Sequence, residues 1–188
     1  MEDNVGGFYN PFEQQIKINS KNSVQEMRPT LVHEMRHSMD DKHGGLSEEE
    51  KQILRNAYQL DKPKGYKNID DEYAPINTAL RYIISQDNGG ILGDDFDNFI
   101  KNADDAYIIR MADKSTGYFN PEENTDAWFK KTYSGNEARK KKALEGRKKK
   151  ADAIRRALME VAYNNNSPYQ RGYIPTQLHI PNMNYEMA

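Results

Sequence analysis

The stretch Thr30-Leu31-Val32-His33-Glu34-Met35-Arg36-His37 sets two histidines four residues apart, with a glutamate directly after the first. Four residues advance an α-helix by about one turn and leave the two side chains about 40° apart around its axis, so both imidazoles reach one metal ion. The helical reading rests on the neighbours. Leu31, Val32, Met35 and Met39 recur at helical spacing, Pro29 is a favoured first helical residue, and Gly44-Gly45 offers a stop. Ser23 and Glu26 have the spacing of a capping box, but a helix begun there meets Pro29 in its interior, so the expected start is Pro29.

Glu34 stands next to the first imidazole, where a carboxylate can take a proton from a water on the metal and later return it to a leaving amine. Zinc is the expected ion, since it brings the pKa of such a water to about 7 and polarises a carbonyl. The 188 residues include no cysteine, which excludes thiol nucleophiles, thiolate metal sites and disulfide scaffolds and leaves histidine and carboxylate as ligands. A chain this long buries a core without a metal staple, so zinc is expected to serve chemistry before stability.

Before the motif, Gly6-Gly7-Phe8-Tyr9, Asn10-Pro11 and Gln15-Ile16-Lys17-Ile18-Asn19 read as a β-hairpin around an Asn-Pro turn. After it, Ser47 with Glu48-Glu49-Glu50 opens a helix through Ile53, Leu54, Ala57, Tyr58 and Leu60 that stops at Lys62-Pro63-Lys64-Gly65. Asp70 is placed to cap a third helix, with Pro75 in its first turns and an apolar face of Ile76, Ala79, Leu80, Ile83 and Ile84. A loop over 87–95 leads to one helix through Phe96, Phe99, Ile100 and Tyr107. A Gly-Tyr-Phe-Asn-Pro run at residues 117–121 is similar to residues 7–11, and both read as Asn-Pro turns after aromatic positions, not as a duplication. The loop's glycines do not fit an EF-hand, because setting Gly89 at the invariant glycine puts Ile84 at the first ligand position.

Residues 136–164 read as one long helix, polar through Lys150 and amphipathic at Ile154, Ala157, Leu158 and Val161. The tail, with Pro168, Pro175 and Pro181, reads as an extended docking segment. The chain divides into residues 1–135, carrying the motif, and 136–188, an appendage without a core of its own. Charge follows that division. Residues 125–160 hold 12 Lys/Arg against 5 Asp/Glu, leaving 15 against 24 elsewhere.

Thr30 to His37 resembles the active-site helix of the zincin metallopeptidases. The likeness is clear over residues 6–43 and weaker to residue 84. It implies an α+β, mostly helical, zincin-like fold: a short N-terminal β-hairpin whose strand takes up substrate by strand addition, the active-site helix and a C-terminal helical part. It also implies hydrolysis of a peptide or protein substrate with Zn2+ and Glu34 as general base. Fewer than thirty residues precede the helix, where zincins carry several strands, so the expectation is a minimal lobe or a piece of a longer protein.

A catalytic zinc site needs a third ligand. Glu72, in Asp70-Asp71-Glu72-Tyr73-Ala74, resembles the downstream glutamate of gluzincins and is preferred, with Asp71 as the fallback. His43 is the alternative: His33, His37 and His43 have metzincin spacing, but Asp40 stands where those enzymes turn at a glycine. If the helix continues instead, His43 falls about 240° around from His37. Asp40 and Asp41 are candidates to accept a hydrogen bond from an imidazole.

Arg139-Lys140-Lys141-Lys142 and Arg147-Lys148-Lys149-Lys150 offer a contact to nucleic acid or an acidic partner, although the stretch itself lacks aromatics for base stacking and a solvated helix face is the plainer reading. Hydrophobic residues make up 36% of the chain and charged residues 30%, with a mean hydropathy of -1.01. No apolar run approaches the ~20 residues of a membrane span, and Met1-Glu2-Asp3-Asn4 lacks the start of a secretory signal. The expectation is therefore a cytoplasmic or virion-associated chain with no membrane partner. The rival function is that of a structural or interaction protein, such as a phage-particle component, whose zincin site is degenerate or purely structural.

Overall fold

The computed structural model describes residues 6–43, 45–58, 69–116, 123 and 125–161. The Lys62-to-Gly65 stop, the second Asn-Pro turn and the proline-containing tail lie outside these residues. Strands β1 (Gly7–Asn10) and β2 (Gln15–Ile18) pair antiparallel, with Gly7 opposite Ile18 and Tyr9 opposite Ile16. The Asn10 side chain accepts the N–H groups of Phe12 at 3.0 Å and Glu13 at 3.3 Å, which closes the turn that Pro11 begins. The expected hairpin is present.

Helix α1 spans Val24–His43 and so starts five residues before the expected Pro29. The capping box is what carries it past the proline. The Ser23 N–H and Oγ both donate to Glu26 Oε2, at 2.9 and 2.8 Å, and the Glu26 N–H points back to Ser23 Oγ at 3.3 Å. Reciprocal satisfaction of these donors offsets the one backbone bond Pro29 removes. Ser47 and Glu50 repeat the device at the start of α2 (Glu48–Tyr58), with Ser47 N–H and Oγ on Glu50 Oε2 at 2.8 and 2.7 Å.

Helix α3 (Asp70–Asp87) is central, packed by α1, α2 and α5. Its N-cap is Ile69, not the expected Asp70. Asp70 sits one residue further in, where Arg55 of α2 grips it with Nε at 2.9 Å and Nη2 at 2.6 Å. This bidentate pair ties the start of α3 to α2. The helix expected through Phe96 and Tyr107 is two: α4 (Gly93–Asn102) and α5 (Asp105–Ser115). Asp104 divides them, since its carboxylate accepts the N–H groups of Ala106 at 2.7 Å and Tyr107 at 3.3 Å as the N-cap of α5.

The short α6 (Asp126–Thr132) precedes α7 (Glu137–Arg156), which continues into a turn of π-helix over Ala157–Val161. As expected, the first half of α7 is largely solvated and the second docks. Ala151, Ile154, Ala157, Leu158 and Val161 join the core made by Leu54, Leu80, Ile84, Phe96, Ile100 and Ile108. Each buried leucine, isoleucine or phenylalanine contributes about 1.5–3 kcal/mol relative to exposure. The widened turn leaves its carbonyls to α3: Asn77 Nδ2 donates to Ala157 O at 3.3 Å and Arg81 Nη1 donates to Leu158 O. Tyr58 in turn donates to Asn77 Oδ1 at 2.6 Å, so these buried polar groups are satisfied. The chain is thus mostly helical with one small sheet, and among the described residues no helix is long and apolar enough to cross a membrane.

Candidate metal centre

Helix α1 lies between the hairpin and α3. Its closeness to β1 depends on Gly7. A Cβ there would fall 2.7 Å from Ile18 Cδ1, 2.9 Å from Lys17 O and 3.0 Å from Thr30 Cγ2, so only glycine lets the strand lie this near the helix. Tyr9 adds a polar tie, its phenol donating to Asp41 Oδ2 at 2.9 Å.

On the α3 side, His33 and His37 meet Glu72. Both Nε2 atoms face the same carboxylate oxygen, Oε2, at 3.2 Å for His33 and 3.5 Å for His37. The two rings have centroids 5.0 Å apart and an interplanar angle of 71°. These distances exceed the ~2.7–2.9 Å of a charge-assisted hydrogen bond. They match the edge of a coordination tetrahedron, because ligand atoms about 2.0–2.1 Å from one ion stand about 3.3 Å from each other. Ligand atoms of His33, His37 and Glu72 all lie within 4.8 Å of one another, and among the described residues no other group of three His, Asp or Glu does this. The donor set, two imidazoles and one carboxylate, is one a borderline-soft divalent ion accepts.

Electrostatics couple the three groups. Burial disfavours charge on His37, yet the carboxylates of Glu72 first, then Glu34 and Asp40, together outweigh it and raise the imidazole pKa. Burial likewise raises Glu72, and the two imidazoles overcome it and hold its pKa down at about 2. A cation at this point would replace the protons as the charge facing Glu72.

Glu34 is buried, with 7% of its surface exposed, and has no hydrogen-bond or ion-pair partner among the described residues. It helps line a cavity of about 820 Å³, walled by Gly7, Phe8 and Tyr9 of β1, by His33 and His37 of α1, and by Asp71 and Glu72 of α3. Lys51 is the one lysine in this wall, against the acids Glu34, Asp40, Asp41, Asp70, Asp71 and Glu72.

The remaining candidates fall as follows. Helix α1 runs unbroken through Asp40 to His43, so the backbone at His43 lies about 240° around from His37. Asp40 and Asp41 do not accept from either imidazole, a correction to the expectation. Arg36, one turn before, takes Asp40 with Nε at 2.9 and 3.1 Å, and Tyr9 takes Asp41. Asp71 borders the cavity beside Glu72. Tyr9 and Lys51 carried no recognisable signal in the sequence, since their place depends on how the hairpin and α2 pack. Compared with known proteins, the chain matches no family model, no curated protein and no solved structure.

Proposed function

We propose that the chain is a zinc-dependent metallopeptidase in which His33, His37 and Glu72 hold the ion and Glu34 is the general base. The observation that carries this is the convergence of His33, His37 and Glu72 on one point of a cavity that Glu34, adjacent in sequence to the first imidazole of the triad, also lines. Zinc, when bound, supplies a Lewis acid that polarises a carbonyl and acidifies water. Glu34 then accepts the proton that the attacking water loses and delivers it to the departing amine, and its lack of competing hydrogen bonds leaves both oxygens free for that exchange.

Strand β1 supports the same reading. The Asn19 N–H donates to Gly6 O at 2.9 Å, and with the observed register this makes 6/19, 8/17 and 10/15 the hydrogen-bonded pairs. Gly7 and Tyr9 therefore turn their N–H and C=O groups to the free edge, while both residues border the cavity. An extended peptide added there has its backbone fixed by main-chain bonds.

The rival is a structural site that staples α1 to α3. It draws on Val32 being the only fully buried apolar residue of α1 among the described residues. A staple has no use for Glu34, however, and this separates the two. Glu34→Gln is expected to keep its zinc and to lower peptide hydrolysis by about 10²–10⁴-fold. Equal turnover of wild type and variant on the same peptide substrates would falsify the assignment of the base.

A further inference from the structure

Glu72, the ligand that α3 brings to the triad, stands in a turn that holds itself poorly. Ile69, the N-cap, has helical backbone angles and supplies no side-chain cap to the first N–H groups. Pro75, inside the helix, has no N–H to donate back to Asp71, so one backbone bond of the opening turns is missing as well. Glu72 lies between these two weak points, with its own N–H on Ile69 O at 3.1 Å. At the start of α1 a capping box offsets a proline of this kind, whereas α3 opens without a side-chain cap.

What holds this turn comes from α2. The Arg55 guanidinium takes both oxygens of Asp70, Nε to Oδ1 at 2.9 Å and Nη2 to Oδ2 at 2.6 Å. Two parallel bonds from a planar fork fix direction as well as distance. Arg55 itself stands on a fixed base, since Ile53, Leu54, Ala57 and Tyr58 of the same helix are buried in the core. Asp70 is two residues before Glu72, so the core reaches the ligand through Arg55, Asp70 and one short stretch of backbone. The tolerance at that end is small. Glu72 Oε2 stands 3.2 and 3.5 Å from the two imidazole nitrogens, and such a constellation works only within about 0.5 Å of its geometry.

We propose that Arg55 is a positioning residue of the metal centre, holding Glu72 against His33 and His37 through its fork on Asp70. This role rests on the triad binding an ion, and it belongs to a residue that does not touch that ion. Partners bonded directly to a metal ligand set affinity by about 10–100-fold. Arg55 acts one step further out, so its removal is expected to cost about tenfold, at the lower end of that range.

The test measures zinc affinity of the full chain by calorimetry for wild type, Arg55→Gln, Asp70→Asn, Glu72→Ala and the double variant Arg55→Gln with Glu72→Ala. The visible spectrum of the cobalt-loaded chain is recorded for the first three as a signature of the ligand geometry. Asp70→Asn breaks the same fork from its other side with a side chain of the same shape. Both Arg55→Gln and Asp70→Asn are expected to weaken zinc binding about tenfold and to change the cobalt spectrum. Once Glu72 is alanine, Arg55→Gln is expected to change the affinity by less than about twofold, as for a residue that acts through Glu72. Wild-type affinity in Arg55→Gln and Asp70→Asn overturns the proposal. An equal loss from Arg55→Gln with and without Glu72 overturns it too, because Arg55 then supports the fold at large. Failure of the metal centre itself looks different: the wild type binds no zinc, or Glu72→Ala binds it equally well, and the role of Arg55 falls with it.

Discussion

Helices α1 and α7 are each 20 residues long, and they use that length in opposite ways. α7 anchors its second half in the main core through Ala151 and Ile154 and leaves its first half to solvent and charge. α1 contributes nothing to that core. Its fully buried residues are Val32 and the charged Glu34, and it is held instead by a glycine-dependent approach to the hairpin, the Tyr9–Asp41 bond and the imidazoles facing Glu72. A helix that gives its inner face to polar groups gains little from apolar burial, so its position depends on a few specific contacts. In α7, by contrast, position comes from burial and the free face is available for charge.

The sharpest way to break this difference is at Gly7. Gly7→Ala forces a methyl group into Ile18, Lys17 and Thr30, and is expected to destabilise the hairpin–α1 lobe by about 1–3 kcal/mol. Hydrogen exchange of the hairpin amides is expected to speed up while that of Leu80, Ile84 and Ile154 stays slow. Uniform acceleration across both regions would show that the lobe and the core unfold as one.

A smaller effect is expected at the start of α1. Ser23→Ala removes the cap that offsets Pro29, and about 1 kcal/mol of stability is expected to be lost in denaturant unfolding. The same helix is then expected to fray back towards Pro29. No change in stability would mean that packing against α3 suffices to hold the first turn.

The smallest change has the opposite sign and lies in α7. Gly146 is exposed in the helix interior, and a Cβ there meets nothing within 4 Å. Gly146→Ala is expected to stabilise the chain by about 0.5–1 kcal/mol through the lost freedom of the unfolded state, seen as a higher midpoint of thermal unfolding. A lower midpoint would show a close approach on that face.

These contrasts also explain what was legible beforehand. The hairpin, the second helix and the docked half of α7 could be read because apolar spacing and turn residues act locally. The start of α1 was misplaced because the penalty of Pro29 is visible in isolation, whereas its offset lies in three short contacts between Ser23 and Glu26. The break at Asp104 was hidden by apolar residues that continue in register on both sides, although the cap itself stood in the sequence. At the centre, His33, Glu34 and His37 were readable from one helical turn. Glu72 was nominated by resemblance alone, since the packing of α3 against α1 leaves no mark in local periodicity, and the seat of Arg147 over Phe129 was invisible for the same reason.

The central claim is that His33, His37 and Glu72 hold one zinc ion between α1 and α3. It is tested most directly by titrating zinc into the metal-free chain by calorimetry, wild type beside Glu72→Ala. One ion per chain is expected, with affinity lower by at least about 100-fold in the variant, a loss at or beyond the upper end of what removing an outer-shell partner produces. Absence of zinc binding in the wild type, or equal affinity in Glu72→Ala, would contradict it.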